Sequence, residues 1–168
     1  QKALQKLVGM FAMAIFDRQE NSIFLARDRM GEKPLYYGSQ GQVYFFGSEL
    51  KAIRAHPDFV PSVDRGSLCL FLRHNYIPAP HSIYKDINKL PPGTFIELGS
   101  EKRPQAYWSL NHVICNGQKN LSGISDKDNL AKIESALGEA VASQMNSDVP
   151  LGAFLSGGVD SSLVVALM

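Results

Sequence analysis

The stretch Leu151-Gly152-Ala153-Phe154-Leu155-Ser156-Gly157-Gly158-Val159-Asp160-Ser161-Ser162 constrains this chain more than any other. Its apolar run, Leu151 to Leu155, predicts a short strand. The adjacent glycines predict an immediate sharp turn, and Asp160 to Met168 a helix. Upstream, Leu130, Ile133, Leu137, Val141 and Met145 recur every three or four residues. That stripe predicts an amphipathic helix of about 20 residues, capped at Ser125 or Asp126 with Asp128 in its first turn, and ended by Ser147-Asp148-Val149-Pro150. Helix, strand, Gly-rich loop and helix in this order open a parallel α/β domain.

Two adjacent glycines let consecutive backbone N–H groups point at one anion, and the helix that follows adds its free amides and the positive end of its dipole. Ser156, Ser161 and Ser162 add hydroxyl donors. Together these predict a cradle for phosphate or pyrophosphate. The Asp160 carboxylate would repel a phosphate by itself and makes sense holding magnesium against the phosphate oxygens. No lysine follows the glycines, so this is not a Walker A loop, and the spacing is not GxGxxG. Residues 127–168 carry two basic and five acidic side chains, so backbone amides, a metal or basic residues outside this sequence must balance phosphate charge. Local chemistry alone leaves a second reading open, a serine-rich helix cap after a glycine turn.

The first two thirds of the sequence have another texture. Met10 to Phe16 is apolar throughout and predicts a strand covered on both faces. It is joined by Asp17-Arg18-Gln19-Glu20-Asn21 to a second strand at Ile23–Ala26. Pro34–Tyr37 and Val43–Phe46 predict a second hairpin about Gly38-Ser39-Gln40-Gly41. Ser48 is the expected cap of a short helix over 49–56. Asp64 or Ser67 is the expected start of another, with Leu68, Leu70, Phe71 and Leu72 as its buried side. Asn75 through Pro80 ends it. Pro91-Pro92-Gly93 predicts a turn, Thr94–Leu98 a strand, Gly99-Ser100-Glu101 another turn, and Tyr107-Trp108 closes an α+β unit. The expected organisation is a first domain over 1–110, a linker rich in Asn, Gly, Lys and Ser over 111–125, and a second domain starting at 126.

Among the 168 residues, 17 basic against 16 acidic side chains leave a net charge of +1, which offers no basic field for nucleic acid or an anionic membrane. Cys69 and Cys115 form no CxxC, so a zinc ribbon or disulfide scaffold is not expected. The longest apolar run, Leu7 to Phe16, is too short to span a bilayer. A soluble, cytoplasmic protein of a reducing compartment is the expectation. The sequence starts within one pattern and stops at Met168 within another, and reads as an internal fragment.

Ser156-Gly157-Gly158-Val159-Asp160-Ser161 resembles the SGGxDS loop of ATP pyrophosphatases, and with Ser147–Gly152 before it the stretch is similar to that of glutamine-hydrolysing asparagine synthetases and close relatives. The upstream half agrees. Gly9–Ala14, Ala26-Arg27-Asp28-Arg29-Met30-Gly31-Glu32-Lys33-Pro34-Leu35-Tyr36-Tyr37, Ser48–Ala52, Tyr76–Pro80 and Lys89–Gly93 resemble the later part of that family's class II glutaminase domain.

The resemblance implies the C-terminal part of an N-terminal nucleophile hydrolase (αββα) domain. The start of a Rossmann-like ATP pyrophosphatase domain follows it. In such proteins an N-terminal cysteine thiolate releases ammonia from glutamine, and a channel delivers it to a second site. There ATP adenylates the aspartate side chain and ammonia displaces AMP. Ser156, Gly157, Gly158, Asp160 and Ser161 are then the pyrophosphate-binding residues, Asp160 the Mg2+ ligand, and Leu155, with Phe154, neighbours of the adenine. Glutamine, aspartate and ATP are the implied small-molecule partners, a homodimer the implied assembly. Gln1 is not the nucleophilic cysteine, and neither Cys69 nor Cys115 is a credible substitute, so the 168 residues alone are expected to be inactive. Two alternatives remain open at this level. One is a relative that amidates a sugar acid or peptide or closes a β-lactam precursor. The other is a degenerate homologue without catalysis.

Arg27, Asp28, Arg29 and Lys33 admit two readings, a grip on a ligand carboxylate or a network of ion pairs and hydrogen bonds that fixes the hairpins. His56, His74, His81 and His112 lack metal-ligand spacing. Tyr36, Tyr37, Tyr44, Phe45 and Phe46 are expected in the core.

Overall fold

The structure, a computed structural model, describes residues 2–99, 103–119, 123 and 125–168. They divide into two units, Gln1–Ile114 and Cys115–Met168.

In the first unit, β1 (Ala12–Asp17) and β2 (Ser22–Arg27) form the expected hairpin, Ala12 opposite Arg27 and Asp17 opposite Ser22. The Asp17 carboxylate accepts from the Gln19 and Glu20 amides at 2.9 and 3.2 Å and so shapes the turn. β1 is an edge strand, and Ile15 and Phe16 are each 56% exposed, so cover on both faces is not found among the described residues.

The second hairpin pairs β3 (Tyr36–Gln40) with β4 (Val43–Gly47), and its tight turn is Gly41-Gln42, not the four residues 38–41. Gly41 takes φ +59° there. Gly38 instead lies inside β3, where a Cβ would stand 1.8 Å from the Asp86 carbonyl oxygen. It serves close backbone approach rather than turning. Strand alternation leaves Phe45 buried but Tyr44 and Phe46 nearly half exposed, which corrects the expectation that all five aromatics are core.

The sheets form out of chain order. β6 (Thr94–Leu98) pairs antiparallel with β2, giving the order β1-β2-β6-β7 with β7 (Gln105–Ala106) at its edge. β5 (Ile87–Lys89) joins β3, giving β4-β3-β5. Leu25, Leu35, Leu90 and Ile96 make one buried cluster, and Phe45, Ile53, Phe59 and Ile87 another. The turn at Ser100-Glu101 lies outside the described residues.

Two short helices complete this unit. α1 (Leu50–Arg54) begins after Glu49, which makes no side-chain cap bond, so Ser48 is not its cap. α2 (Arg65–His74) is capped by Asp64, whose carboxylate accepts from the Gly66 and Ser67 amides, and it ends at Asn75 in the left-handed region. Its expected buried side is open. Leu68, Phe71 and Leu72 are exposed, Leu70 is half-buried, and Ser67 is the buried residue.

A helix, α3 (Leu110–Lys119), occupies most of the segment read as a linker, and the division between the units falls inside it. The second unit holds α4 (Asp126–Gln144) and α5 (Val159–Leu167). Ser125 caps α4, its hydroxyl accepting from the Asp128 amide at 3.2 Å. Residues 151–155 form no strand, and no described segment pairs with them. No residue of α3, α4 or α5 is buried. Among the described residues no helix is long and apolar enough to cross a membrane.

Candidate functional site

The loop between residue 155 and α5 turns at Gly157, whose φ of +80° suits glycine and strains any residue with a Cβ. Gly158 is the N-cap of α5, and its carbonyl accepts the first helical bond, from the Ser162 amide at 3.1 Å. The amides of Val159, Asp160 and Ser161 come before that bond and have no helical acceptor. Asp160 sits in the first turn, exposed. Ser156 Oγ and Ser161 Oγ are 3.0 Å apart, which draws the two ends of the loop together. The Ser161 and Ser162 hydroxyls both donate to the Gly158 carbonyl, at 3.0 and 2.8 Å.

Five expected site residues, Ser156, Gly157, Gly158, Asp160 and Ser161, therefore lie on one exposed turn. The arrangement offers unshared amides, orientable hydroxyls and one carboxylate. Leu155 is 61% exposed, and Phe154 is exposed throughout. Among the described residues no three His, Cys, Asp or Glu gather at metal-ligand distances.

The charged cluster of the first unit is built for another purpose. Arg27 spends its guanidinium on backbone carbonyls: Nε on Lys33 at 2.9 Å, Nη1 on Leu90 at 2.8 Å and Nη2 on Gly31 at 2.5 Å. Burial lowers its pKa from the usual value, against the raising effect of Asp28 and Tyr36. Asp28 is fully buried, and its carboxylate accepts from the amides of Phe11, Glu32 and Lys33. Burial pushes that carboxyl up, but bonds from the backbone of Lys33, Glu32, Phe11 and Gly31 outweigh it and hold the pKa below the ordinary range. Arg29 donates to the Gln5 carbonyl at 2.9 Å. The network reading holds, with backbone carbonyls and amides as partners instead of ion pairs.

Gly93, read in sequence as part of a turn, and Tyr107, read as part of the close of the unit, also belong to this network, a role that the sequence does not show. Gly93 donates its amide to the Asp28 carbonyl at 2.8 Å and accepts from the amides of Tyr107 and Trp108 at 2.9 and 3.2 Å. The Tyr107 hydroxyl donates to the Arg27 carbonyl at 2.8 Å. Pro91-Pro92-Gly93 signals a turn, but nothing local says which distant carbonyl the turn meets. Lys89 donates Nζ to the Ile77 carbonyl, tying β5 to the proline-rich segment after α2. Cys69 and Cys115 are exposed thiols on α2 and α3.

Comparison with known proteins covers both units. The glutamine amidotransferase domain family matches residues 1–108, and the asparagine synthase family matches residues 132–168. Glutamine-hydrolyzing asparagine synthetase 3 of Bacillus subtilis is 35% identical over 169 residues, covering 99% of this chain and 26% of that protein. A putative glutamine-hydrolyzing asparagine synthetase 2 of Methanocaldococcus jannaschii is 39% identical over 166 residues, covering 95% of this chain and 31% of that protein. A probable glutamine-hydrolyzing asparagine synthetase of Dictyostelium discoideum is 32% identical over 166 residues, with 96% and 24% covered. The chain thus spans about a quarter to a third of the length of these curated relatives.

Proposed function

Because this chain belongs to the family in which a glutamine amidotransferase domain is joined to an asparagine synthase domain, we propose that the full-length protein is a glutamine-hydrolysing asparagine synthetase. Residues 1–110 are the later part of a glutaminase domain of the N-terminal nucleophile hydrolase type. Residues 111–125 are its link, and residues 126–168 open a Rossmann-like ATP pyrophosphatase domain. The proposed reaction turns aspartate, glutamine and ATP into asparagine, glutamate, AMP and pyrophosphate through a β-aspartyl adenylate. The setting is proposed as cytoplasmic and the assembly as a homodimer.

The observation that carries this reading is the turn at Gly157, which brings Ser156, Gly158, Asp160 and Ser161 to one exposed helix start. Its donor set fits a pyrophosphate group. The Val159 to Ser161 amides, which have no helical acceptor, are available to an anion, and the Ser156 and Ser161 hydroxyls can turn toward it. One carboxylate, Asp160, fits magnesium held mainly by phosphate oxygens, since that ion commonly takes only one or two protein carboxylates. Magnesium, when bound, supplies charge that offsets the phosphates. Residue 155 would lay its backbone beside the adenine. Neither helical cysteine, 69 or 115, is the glutaminase nucleophile, and the 168 residues alone are proposed to turn over neither glutamine nor aspartate.

The test is Asp160→Asn in the full-length protein. It should cut aspartate-dependent AMP release by about 100-fold, the loss typical of one preorganised charge contact, and leave glutamate release from glutamine within about twofold. Unchanged AMP release would overturn the assignment of the loop. Release of AMP with a sugar acid or a β-amino acid substrate, and none with aspartate, would keep the loop and replace the acceptor.

A further inference from the structure

Arg27 and Arg29 are near neighbours in sequence and are used differently. Arg27 donates to three backbone carbonyls. Arg29 donates to one, from Nη2 to the Gln5 carbonyl at 2.9 Å. Its Nε is buried and meets no acceptor among the described residues. The ion pairs found among those residues, Lys51 with Glu49 and His56 with Asp58, do not include it. Asp28 is next in sequence, but its carboxylate is taken by the amides of Phe11, Glu32 and Lys33. A buried donor left unpaired is costly, and so a cation held this way points to an acceptor from outside the unit.

The Arg29 side chain lines a cleft of about 370 Å³ in the first unit, together with Met30, Pro92, Trp108, Leu110 and Asn111. Met30 is 59% and Leu110 48% exposed, so apolar surface stands open to solvent beside the cation. Two close backbone approaches fix the walls in advance. Pro92 sits against Gly31, φ +71°, where a Cβ would stand 2.7 Å from the ring. The Trp108 amide donates to the Gly93 carbonyl at 3.2 Å, and a Cβ on Gly93, φ +64°, would lie 2.6 Å from the Trp108 carbonyl oxygen. The first helical bond of α3 runs from the Val113 amide to the Ser109 carbonyl, so the positive end of that helix lies at the same wall.

We infer that this cleft binds a small monocarboxylic acid with an apolar body. A guanidinium with unused donors grips a carboxylate through paired N–H···O bonds, and the Met30, Pro92 and Trp108 surface takes the hydrocarbon part. Among the described residues no Asp or Glu lines the cleft, so an α-ammonium group finds no counter-charge there. That separates the ligand from an amino acid such as glutamine or aspartate. The cleft shares no residue with the loop at 156–162, and the inference stands or falls independently of the function proposed above.

The experiment is a saturation-transfer NMR titration of the full-length protein with phenylacetate. Phenylacetamide, which keeps the ring and loses the charge, and phenylalanine, which adds the ammonium group, serve as competitors. Each is expected to compete about tenfold more weakly than phenylacetate itself, the factor that a charge-assisted hydrogen bond supplies. Arg29→Leu should weaken phenylacetate about tenfold and leave phenylacetamide within about twofold of wild type. Arg18→Leu, exposed in the turn after β1, should bind as wild type does. Equal affinities for the three compounds, or phenylacetate binding indifferent to Arg29, overturns the inference. So does a full-length protein that takes up no phenylacetate, the result expected if a carboxylate from the rest of the chain fills the cleft or if water alone serves Nε. Should Arg29→Leu not fold, Arg29→Lys replaces it, keeping the charge without the fork, and must also weaken phenylacetate more than phenylacetamide.

Discussion

The two units put similar side chains to opposite uses. In the first, Leu25 and Leu90 have no exposed surface, and the buried Asp28 and half-buried Arg27 are tied to the backbone. In the second, Leu130 is 67% and Ile133 56% exposed, and no helix buries a residue. The α4 stripe is as regular as any pattern in the first unit. Periodicity states which face a helix offers, and among the described residues α5 packs against only part of that face, which leaves Leu130 and Ile133 open.

The largest expected effect separates the units through their cores. Leu90→Ala should cost about 3 kcal/mol of unfolding free energy, while Leu130→Ala should stay within about 0.5 kcal/mol. Urea unfolding followed by Trp108 fluorescence, a first-unit reporter, measures the first, and unfolding followed by helical circular dichroism measures the second. Equal costs would break the comparison.

Next comes Asp28→Asn, expected to cost roughly 2 kcal/mol at pH 7, because an amide nitrogen would face a backbone donor in a buried place. The sign with pH follows from the depressed carboxyl. Its contribution is fully present above the ordinary carboxylate value of about 4, and it is lost as the pH falls through the lower folded value. Wild type and Asp28→Asn should therefore converge in stability in acid. A gap that stays constant from pH 7 to pH 2 would sink the assignment.

The smallest effect compares helix caps. Asp64→Ala should destabilise the first unit by about 1 kcal/mol and shift the Trp108 transition. Ser125→Ala removes an equivalent cap, yet should lower helicity by circular dichroism with no shift of that transition. A shift would mean the units unfold together.

Much of this was legible along the chain because the signals are local. The hairpin at 12–27 follows from two apolar runs about a polar turn. Asp64 and Ser125 announce their helices by short-range bonding, and the adjacent glycines at 157 and 158 announce the loop. What stayed hidden depends on distant partners. Gly38 and Gly41 look alike in sequence, and only Asp86, brought alongside by β5, shows that one serves a strand and the other a turn. Residues 151–155 have strand composition but no ladder to join among the described residues. Arg27 and Asp28 read as charges seeking charges, whereas their bonds go to carbonyls and amides from 11 to 90. The texture of 111–125 suggested a linker, yet α3 forms there, since Asn and Gly lower helix propensity without forbidding a helix.

The pairing of β2 with β6 sets a timetable for synthesis. Leu25 meets Ile96 across the two strands, with Leu35 and Leu90 completing the cluster. Chain growth of about 5–20 residues per second leaves the first hairpin waiting several seconds before its partner strand is made. Throughout that interval the edge of β2 is open, and the later strand must enter beside it rather than extend a meander. The order of emergence from the ribosome thus places the slowest, most non-local step at the centre of the sheet.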